Sequence, residues 1–423
     1  MIRILNSSEI ARSEIFERKE AVSGLEGIVA AIIENVKTRG DAALFEYAEK
    51  FDGGLPGGLE VTEKEIEEAF DSVPAELLGV IREAEENIRA FHSKQVRNGF
   101  VMTEKEGVIL GQRVTPIEKV GIYVPGGTAA YPSTVLMNAV PAKIAGCGEI
   151  VMVTPAKAGK VSPAILAAAK IAGVDRIFKV GGAQAVAALA YGTETVPKVM
   201  KIVGPGNSFV AEAKRQVYGL VSIDMIAGPS EILCVADGKS DPAQLAADLL
   251  SQAEHSEAAS AVLVTDSAAL AEAVSAEIER QLDTLPRSEI ARASIDGNGK
   301  IIITPDLKAA VDIANEIAPE HLELCVDDPF SWLPLVRNAG SVFMGRYCPE
   351  ALGDYFAGPN HTLPTGGTAK FSSPLGVEDF VKRSQFSYYS KDALNEVAEK
   401  IAIFARAEGL EAHARSAISR GEK

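Results

Sequence analysis

A chain of 423 residues exceeds what one hydrophobic core comfortably serves, so two or more domains are expected. Its composition, 47% hydrophobic and 24% charged, is that of a soluble globular protein. The 58 acidic residues against 42 basic ones leave a formal net charge of −16, which argues against a nucleic-acid surface and disfavours docking on anionic membranes.

At the N-terminus, MIRILNSSEIARSEIFERK has charges where a secretory apolar core should be, and no later apolar run approaches the ~20 residues that span a bilayer. A cytoplasmic location is therefore expected. Residues up to about Phe91 read as mostly helical. Ile28 to Val36 and Ala42 to Phe51 carry apolar residues at helical spacing, punctuated by Gly40-Asp41. Thr62 followed by Glu65 is a capping-box pattern, and Pro74 opens a further helix through Leu77, Ile81, Ala84 and Ile88. From Phe100 to Val124 the pattern turns to short β-like runs.

Strands then alternate with helices: GIYVPGG, a helix over Ser133 to Ala145, IVMVTPA, AILAAAKIAG, IFKVGG, AVAALAYG, MKIVGPGN and FVAEAKRQVYG. A second alternation starts after IDMIAGPS, with ILCVAD, a helix around Gln252, AVLVTD, a helix over Ala268 to Leu285, IIITPD and a helix over Ala309 to Ile317. This rhythm predicts doubly wound parallel sheets in two α/β units with a cleft between them. From Asn338 to Pro374 glycine, proline and polar residues crowd into a loop long enough to be functional. From Leu375 the chain is expected to return to helix.

Three strand–glycine–helix turns, VPGG at Val124, VGGAQ at Val180 and VGPGN at Val203, offer backbone N–H groups at helix N-termini, which suits a phosphate. None is the G-x-G-x-x-G fingerprint, and ordinary tight turns explain them equally well. Asn207 is a helix cap or a cofactor contact, with Tyr123 and Gln184 at comparable lips of the same sheet edge. Gln252 and His255, three residues apart, share a helix face and suit a metal or polar ligand; a solvated helix end is the plainer reading. Glu320 and His321 stand together between apolar residues, a costly pair to bury without acid–base work, although a hydrogen-bonded helix end would also account for them. His92 reads as a solvated helix end, His361 as either loop structure or function, and His413, five residues after Glu408, as a solvated helix face. Asp354 caps a turn or joins Gln252 and the histidines in a mixed nitrogen–oxygen set that would accept zinc. Cys147, Cys234, Cys325 and Cys348 lie far apart and read as reduced, structural thiols.

The stretches GIYVPGGTAAYPSTVLMNAVPAKIAGC, VGGAQAVAALAYGTE, GPGNSFVAEAKRQV, IDMIAGPSEI, DLLSQAEHS, APEHLEL and AGPNHTLPTGGTAKFSSPLGVEDFVKR resemble histidinol dehydrogenase, in order from about residue 20 to the tail. That resemblance implies two incomplete Rossmann-like, aldehyde dehydrogenase-like domains. One would be discontinuous (19–120 and 231–374), the other NAD-binding (121–230), with an N-terminal segment 1–18 and a helical tail 375–423 reaching a partner subunit. It implies oxidation of L-histidinol to L-histidine through histidinal, with two NAD⁺ at one site of a zinc-containing homodimer. Zinc would fall on Gln252, His255, Asp354 and the tail residue His413, catalysis on Glu320 and His321, and NAD contacts on Tyr123, Gln184 and Asn207. Ser230, Glu408 and His321 would meet substrate together with the zinc ligands. A paralogue oxidising another polyol and a catalytically silent α/β binding protein are the competing readings; the intact Gln/His/Asp/His and Glu/His sets argue against the second.

Overall fold

The computed structural model describes residues 1–17, 24–126 and 130–421. The last glycine of VPGG, Gly127, lies outside them.

After β1 (Arg3–Asn6) and α1 (Arg12–Phe16) come four helices, α2 (Glu26–Arg39), α3 (Asp41–Asp52), α4 (Glu63–Ser72) and α5 (Ala75–His92). The capping box forms as expected. Thr62 Oγ1 accepts from the Glu65 N–H at 3.2 Å, and Glu65 Oε2 accepts from the Thr62 N–H at 2.8 Å. β2 (Phe100–Met102) and β3 (Val108–Pro116) follow as an antiparallel pair.

The first alternation comprises β4 (Lys119–Tyr123), α6 (Pro132–Ala145), β5 (Glu149–Val153), α7 (Pro163–Ala172), β6 (Arg176–Phe178), α8 (Gly182–Tyr191), β7 (Lys201–Val203), α9 (Ser208–Val217) and β8 (Ser222–Ile223). Its five strands are parallel in the order β6-β5-β4-β7-β8, so the order reverses between β4 and β7. Ile122, Ile150, Met152, Phe178 and Ile202 have at most 3% exposure in its core. Helices α2 to α5 bury Val29, Val36, Leu44, Ile81 and Ile88 in that same core. The apolar stripes of these helices are covered by α6, α7, α8 and α9 of this unit.

The second alternation comprises β9 (Glu231–Ala236), α10 (Pro242–Ala253), β10 (Ser260–Thr265), α11 (Ala268–Leu282), α12 (Ser288–Asn298), β11 (Lys300–Ile303), α13 (Leu307–Ile317), β12 (His321–Cys325), α14 (Pro329–Trp332), β13 (Ser341–Met344) and α15 (Glu350–Tyr355). Its sheet is parallel, in the order β1-β11-β10-β9-β12-β13. The N-terminal segment is therefore not simply helical. Arg3 pairs with Lys300, and Ile2 is buried in the core under this sheet. Four residues at a sheet edge leave too short an alternation to be read against the surrounding charges.

The tail also departs from expectation. Leu375 and Phe380 join the core of the five-stranded sheet, and β14 (Val381–Tyr389) pairs antiparallel with β3 along its whole length. Only then come α16 (Lys391–Ala407) and α17 (Glu411–Ile418). β14 is exposed on both faces, so it has no period-two signal; its backbone partner alone makes it a strand. Among the described residues no helix is long and apolar enough to cross a membrane.

Candidate active site

The chain brings the C-terminal edge of the five-stranded sheet against the N-terminal edge of the six-stranded one. β7 ends at Val203 and feeds the turn Gly204–Asn207, while β9 and β12 begin at Glu231 and His321. Between them lies a cavity of about 530 Å³ lined by Asn207, Ser230, Gln252, His255, Glu320, His321 and Asp354 among others. It adjoins the crevice between β4 and β7, where a reversal of strand order leaves room outside the carboxyl ends of a parallel sheet.

Glu320 and His321 arrive there through a strained corner. Ala318, just past α13, has φ 51° and ψ 65°, a left-handed conformation uncommon for a residue with a side chain. It turns the chain from helix into β12 and sets His321 at the strand's first position with Glu320 immediately before it. Glu320 Oε2 accepts from the Glu231 N–H at 2.9 Å, and His321 Nδ1 donates to the Glu231 carbonyl at 3.0 Å. One backbone residue therefore fixes the acid and the imidazole together. In the neutral ring, with its proton on Nδ1, Nε2 carries the lone pair, and this buried nitrogen has no hydrogen-bond partner. It lies 3.7 Å from Asp354 Oδ1 and 3.8 Å from Glu350 Oε1, beyond hydrogen-bond range.

Charge dominates the site. Burial pushes Glu320 up to about 8, against the pull of His321 and the Glu231 N–H. Burial opposes a charge on His321 too, yet the carboxylates of Glu350, Glu320 and Asp354 hold its imidazole well above the ordinary range. Burial also raises Glu350, to about 7. Asp354 stays below its usual range despite burial because His321, His361 and His255 surround it. Among the described residues, no lysine or arginine lines the cavity. Such an arrangement is suited to holding a cation.

The donor chemistry fits that cation. Gln252 is fully buried at the end of α10; His255 lies one turn on, just past the helix end rather than on it. The orientation of the Gln252 amide follows from its neighbours: its nitrogen donates to Glu350 Oε1 at 2.8 Å and Oε2 at 3.2 Å. This leaves the carbonyl oxygen, the ligating atom of an amide, free of that carboxylate. Amide oxygen, carboxylate and imidazole are acceptable zinc donors. A second grouping is also close: ligand atoms of His321, Glu350 and Asp354 lie within 4.8 Å of one another.

The remaining expected residues are elsewhere. Tyr123 is buried at the end of β4, where its hydroxyl accepts from the Gly182 N–H at 3.0 Å and burial pushes it up to about 12. Gln184 is buried one turn into α8 beside that contact. Both sit at the neighbouring lip and do not line the cavity. Glu408 and His413 are exposed on the tail, at the end of α16 and on α17, and neither lines the cavity of its own chain.

Two residues with a clear place in the site had a weak signal or none assigned. Glu350 stands four residues before Asp354 on α15, the i,i+4 spacing that puts two carboxylates on one helix face. His361 Nδ1 donates to the Asp354 carbonyl at 3.0 Å and, in the neutral ring, Nε2 accepts from Thr134 Oγ1 of α6 at 3.3 Å, joining the two halves across the cavity. His92, expected in solvent, is fully buried with Nδ1 2.7 Å from Gln95 Oε1. The four cysteines are free; Cys147, Cys234 and Cys325 are buried, and burial pushes the Cys147 thiol up to about 11, which suits packing rather than nucleophilic work.

The profile of the histidinol dehydrogenase family matches residues 16–421. Histidinol dehydrogenase of Syntrophotalea carbinolica is 57% identical over 395 residues, 93% of this chain and 92% of that protein. The crystal structure of histidinol dehydrogenase from Elizabethkingia anophelis superposes with a TM-score of 0.93 at 37% identity, covering 99% of this chain and 98% of that one. Aldehyde dehydrogenase 21 of Physcomitrella patens, at 12% identity and a TM-score of 0.50 over 87% of each chain, shares the fold alone.

Proposed function

The chain belongs to the histidinol dehydrogenase family, an NAD-dependent oxidoreductase family of histidine biosynthesis, and from that premise we propose how its own residues carry the reaction. The substrate is L-histidinol, oxidised through L-histidinal to L-histidine with two NAD⁺ taken in succession. The observation that carries this reading is the Glu320–His321 pair held by Glu231 at the wall of a cavity that also contains Gln252, His255 and Asp354.

His321 Nε2 accepts the hydroxyl proton as the carbinol hydride departs, since its lone pair is unengaged and three carboxylates favour protonation there. Glu320 then activates water for attack on the aldehyde. Its Oε2 is occupied by the Glu231 N–H, which leaves the other oxygen to meet the water. His321 serves again as base for the second oxidation. Gln252, His255 and Asp354 would hold zinc, with His413 of a second subunit as the fourth donor. Zinc, when bound, supplies a Lewis-acid anchor for the substrate's amine and imidazole. Ser230 lines the pocket beside them, and Glu408 would join it from the same second subunit. Asn207, with Tyr123 and Gln184 at the adjoining lip, would receive NAD.

With zinc supplied, purified protein is expected to reduce two NAD⁺ per histidinol consumed, read as NADH absorbance at limiting substrate. A ratio of one, or turnover only with another alcohol, would overturn the assignment and favour a paralogous polyol dehydrogenase.

A homodimer of cytoplasmic protein is part of the proposal. Its support is exposed apolar surface on the appended elements: Phe100, Val101 and Met102 on β2, Tyr388 and Tyr389 on β14, and Ile403 and Phe404 on α16. Exchange of tails has a direct test. His413→Ala and Glu320→Gln homodimers are each expected to be nearly inactive, and random remixing should restore about a quarter of wild-type activity, because half the dimers then contain one intact site. No recovery in demonstrably mixed dimers would mean that each site is built within one chain.

A further inference from the structure

The turn VGPGN is gripped by a charge pair that solvent scarcely reaches. Lys214, two turns into α9, donates from Nζ to the Gly204 carbonyl at 3.0 Å and forms an ion pair with Asp224, which follows β8. Asp224 Oδ2 accepts from the Gly204 N–H at 2.7 Å, and its Oδ1 accepts from the Met225 N–H at 2.7 Å. The side chains are 2% and 1% exposed. Both polar groups of one glycine are thus held by opposite members of one buried pair.

Gly204 leaves little freedom for anything else. Its φ of 109° is open to glycine, and a Cβ there would lie 2.2 Å from the Tyr123 carbonyl oxygen. The residues it releases, Pro205 to Ser208, form a wall of the cavity at the reversal of strand order between β4 and β7. Asn207 Oδ1 is committed to capping α9 through the Phe209 and Val210 N–H groups, both at 3.1 Å. Its Nδ2 is therefore the half able to meet a ligand. An ion pair stripped of water is costly, and apolar residues of similar volume commonly serve stability as well or better. Its value here is geometric.

We propose that Lys214 and Asp224 are positioning residues for the dinucleotide: by clamping the Gly204 peptide they hold Gly206, Asn207 and Ser208 at the spacing the cofactor requires. The inference rests on the reading that this turn receives NAD. Lys214→Met is expected to weaken NADH binding, followed by fluorescence titration of the zinc-loaded enzyme, by about tenfold or more. Bound zinc and the KM for histidinol should stay within about twofold of wild type. Asp224→Asn, which keeps an acceptor but not the charge, serves where Lys214→Met does not fold.

The double variant Lys214→Met/Asp224→Leu separates positioning from stability. An apolar pair should recover much of the Tm lost in the single variants yet still bind NADH weakly. A double variant with wild-type Tm and wild-type NADH affinity overturns the proposal. Asn207→Ala tests the underlying reading separately. If it weakens NADH binding while the clamp variants do not, the clamp fails and the cofactor site stands; if it leaves the affinity unchanged, the cofactor reading falls and takes the clamp with it.

Discussion

His321→Asn is expected to lower kcat for both oxidations by roughly 10²–10⁴-fold while leaving bound zinc at wild-type stoichiometry. The imidazole donates through Nδ1 to the Glu231 carbonyl, so its tautomer is set and Nε2 faces the site with an unshared pair. Asparagine keeps a donor for Glu231 but has no nitrogen base, so the loss falls on proton transfer. The carboxylates of Glu350, Glu320 and Asp354 hold the ring's pKa well above the ordinary histidine range, so activity should rise on the alkaline side as the ring is deprotonated and be lost below it. The decisive measurement pairs kcat with metal content. An Asn variant that loses zinc would place His321 among the ligands, as its proximity to Glu350 and Asp354 also permits.

Asp354→Asn should release the metal and with it almost all activity. Asp354 has the only carboxylate in the proposed set of Gln252, His255 and Asp354, and three histidines already stabilise its charge. Losing a group that merely orients a ligand typically costs 10–100-fold in metal affinity, so a direct ligand should cost more than that. Glu350→Gln gives the comparison, because it preserves an acceptor for the Gln252 amide but removes a buried charge. Chelator competition should rank the losses Asp354→Asn above Glu350→Gln, with His255→Asn close to Asp354→Asn. If Glu350→Gln loses metal more severely than His255→Asn, the ion sits in the His321–Glu350–Asp354 group instead.

Much of the fold was legible because it is local. The Thr62–Glu65 box and Pro74 at the start of α5 act within a turn, and their signals survive any tertiary context. β1 and β14 were misread for the opposite reason. Each is a strand by virtue of a partner about 270 to 300 residues away, β11 for one and β3 for the other, and neither shows a two-sided alternation of its own. The same limit hid Glu350. Its i,i+4 relation to Asp354 was visible, but its place beneath Gln252 depends on how α15 packs against α10.

By itself, the sequence determined two runs of alternating α/β structure, an acidic chain without a basic face, and a set of long motifs whose family proved to cover nearly the whole chain. It also singled out Gln252, His255, Glu320, His321 and Asp354. Only the tertiary structure decided that these five face one cavity, that Glu231 holds the acid and the imidazole together, and that Glu408 and His413 stand apart from that cavity in their own chain. The physical reason is range. Residue spacing encodes helix and strand periods over a few residues, whereas the site is assembled by packing among segments as far apart as Pro125 and His361. Burial then shifts proton affinities that no spacing records.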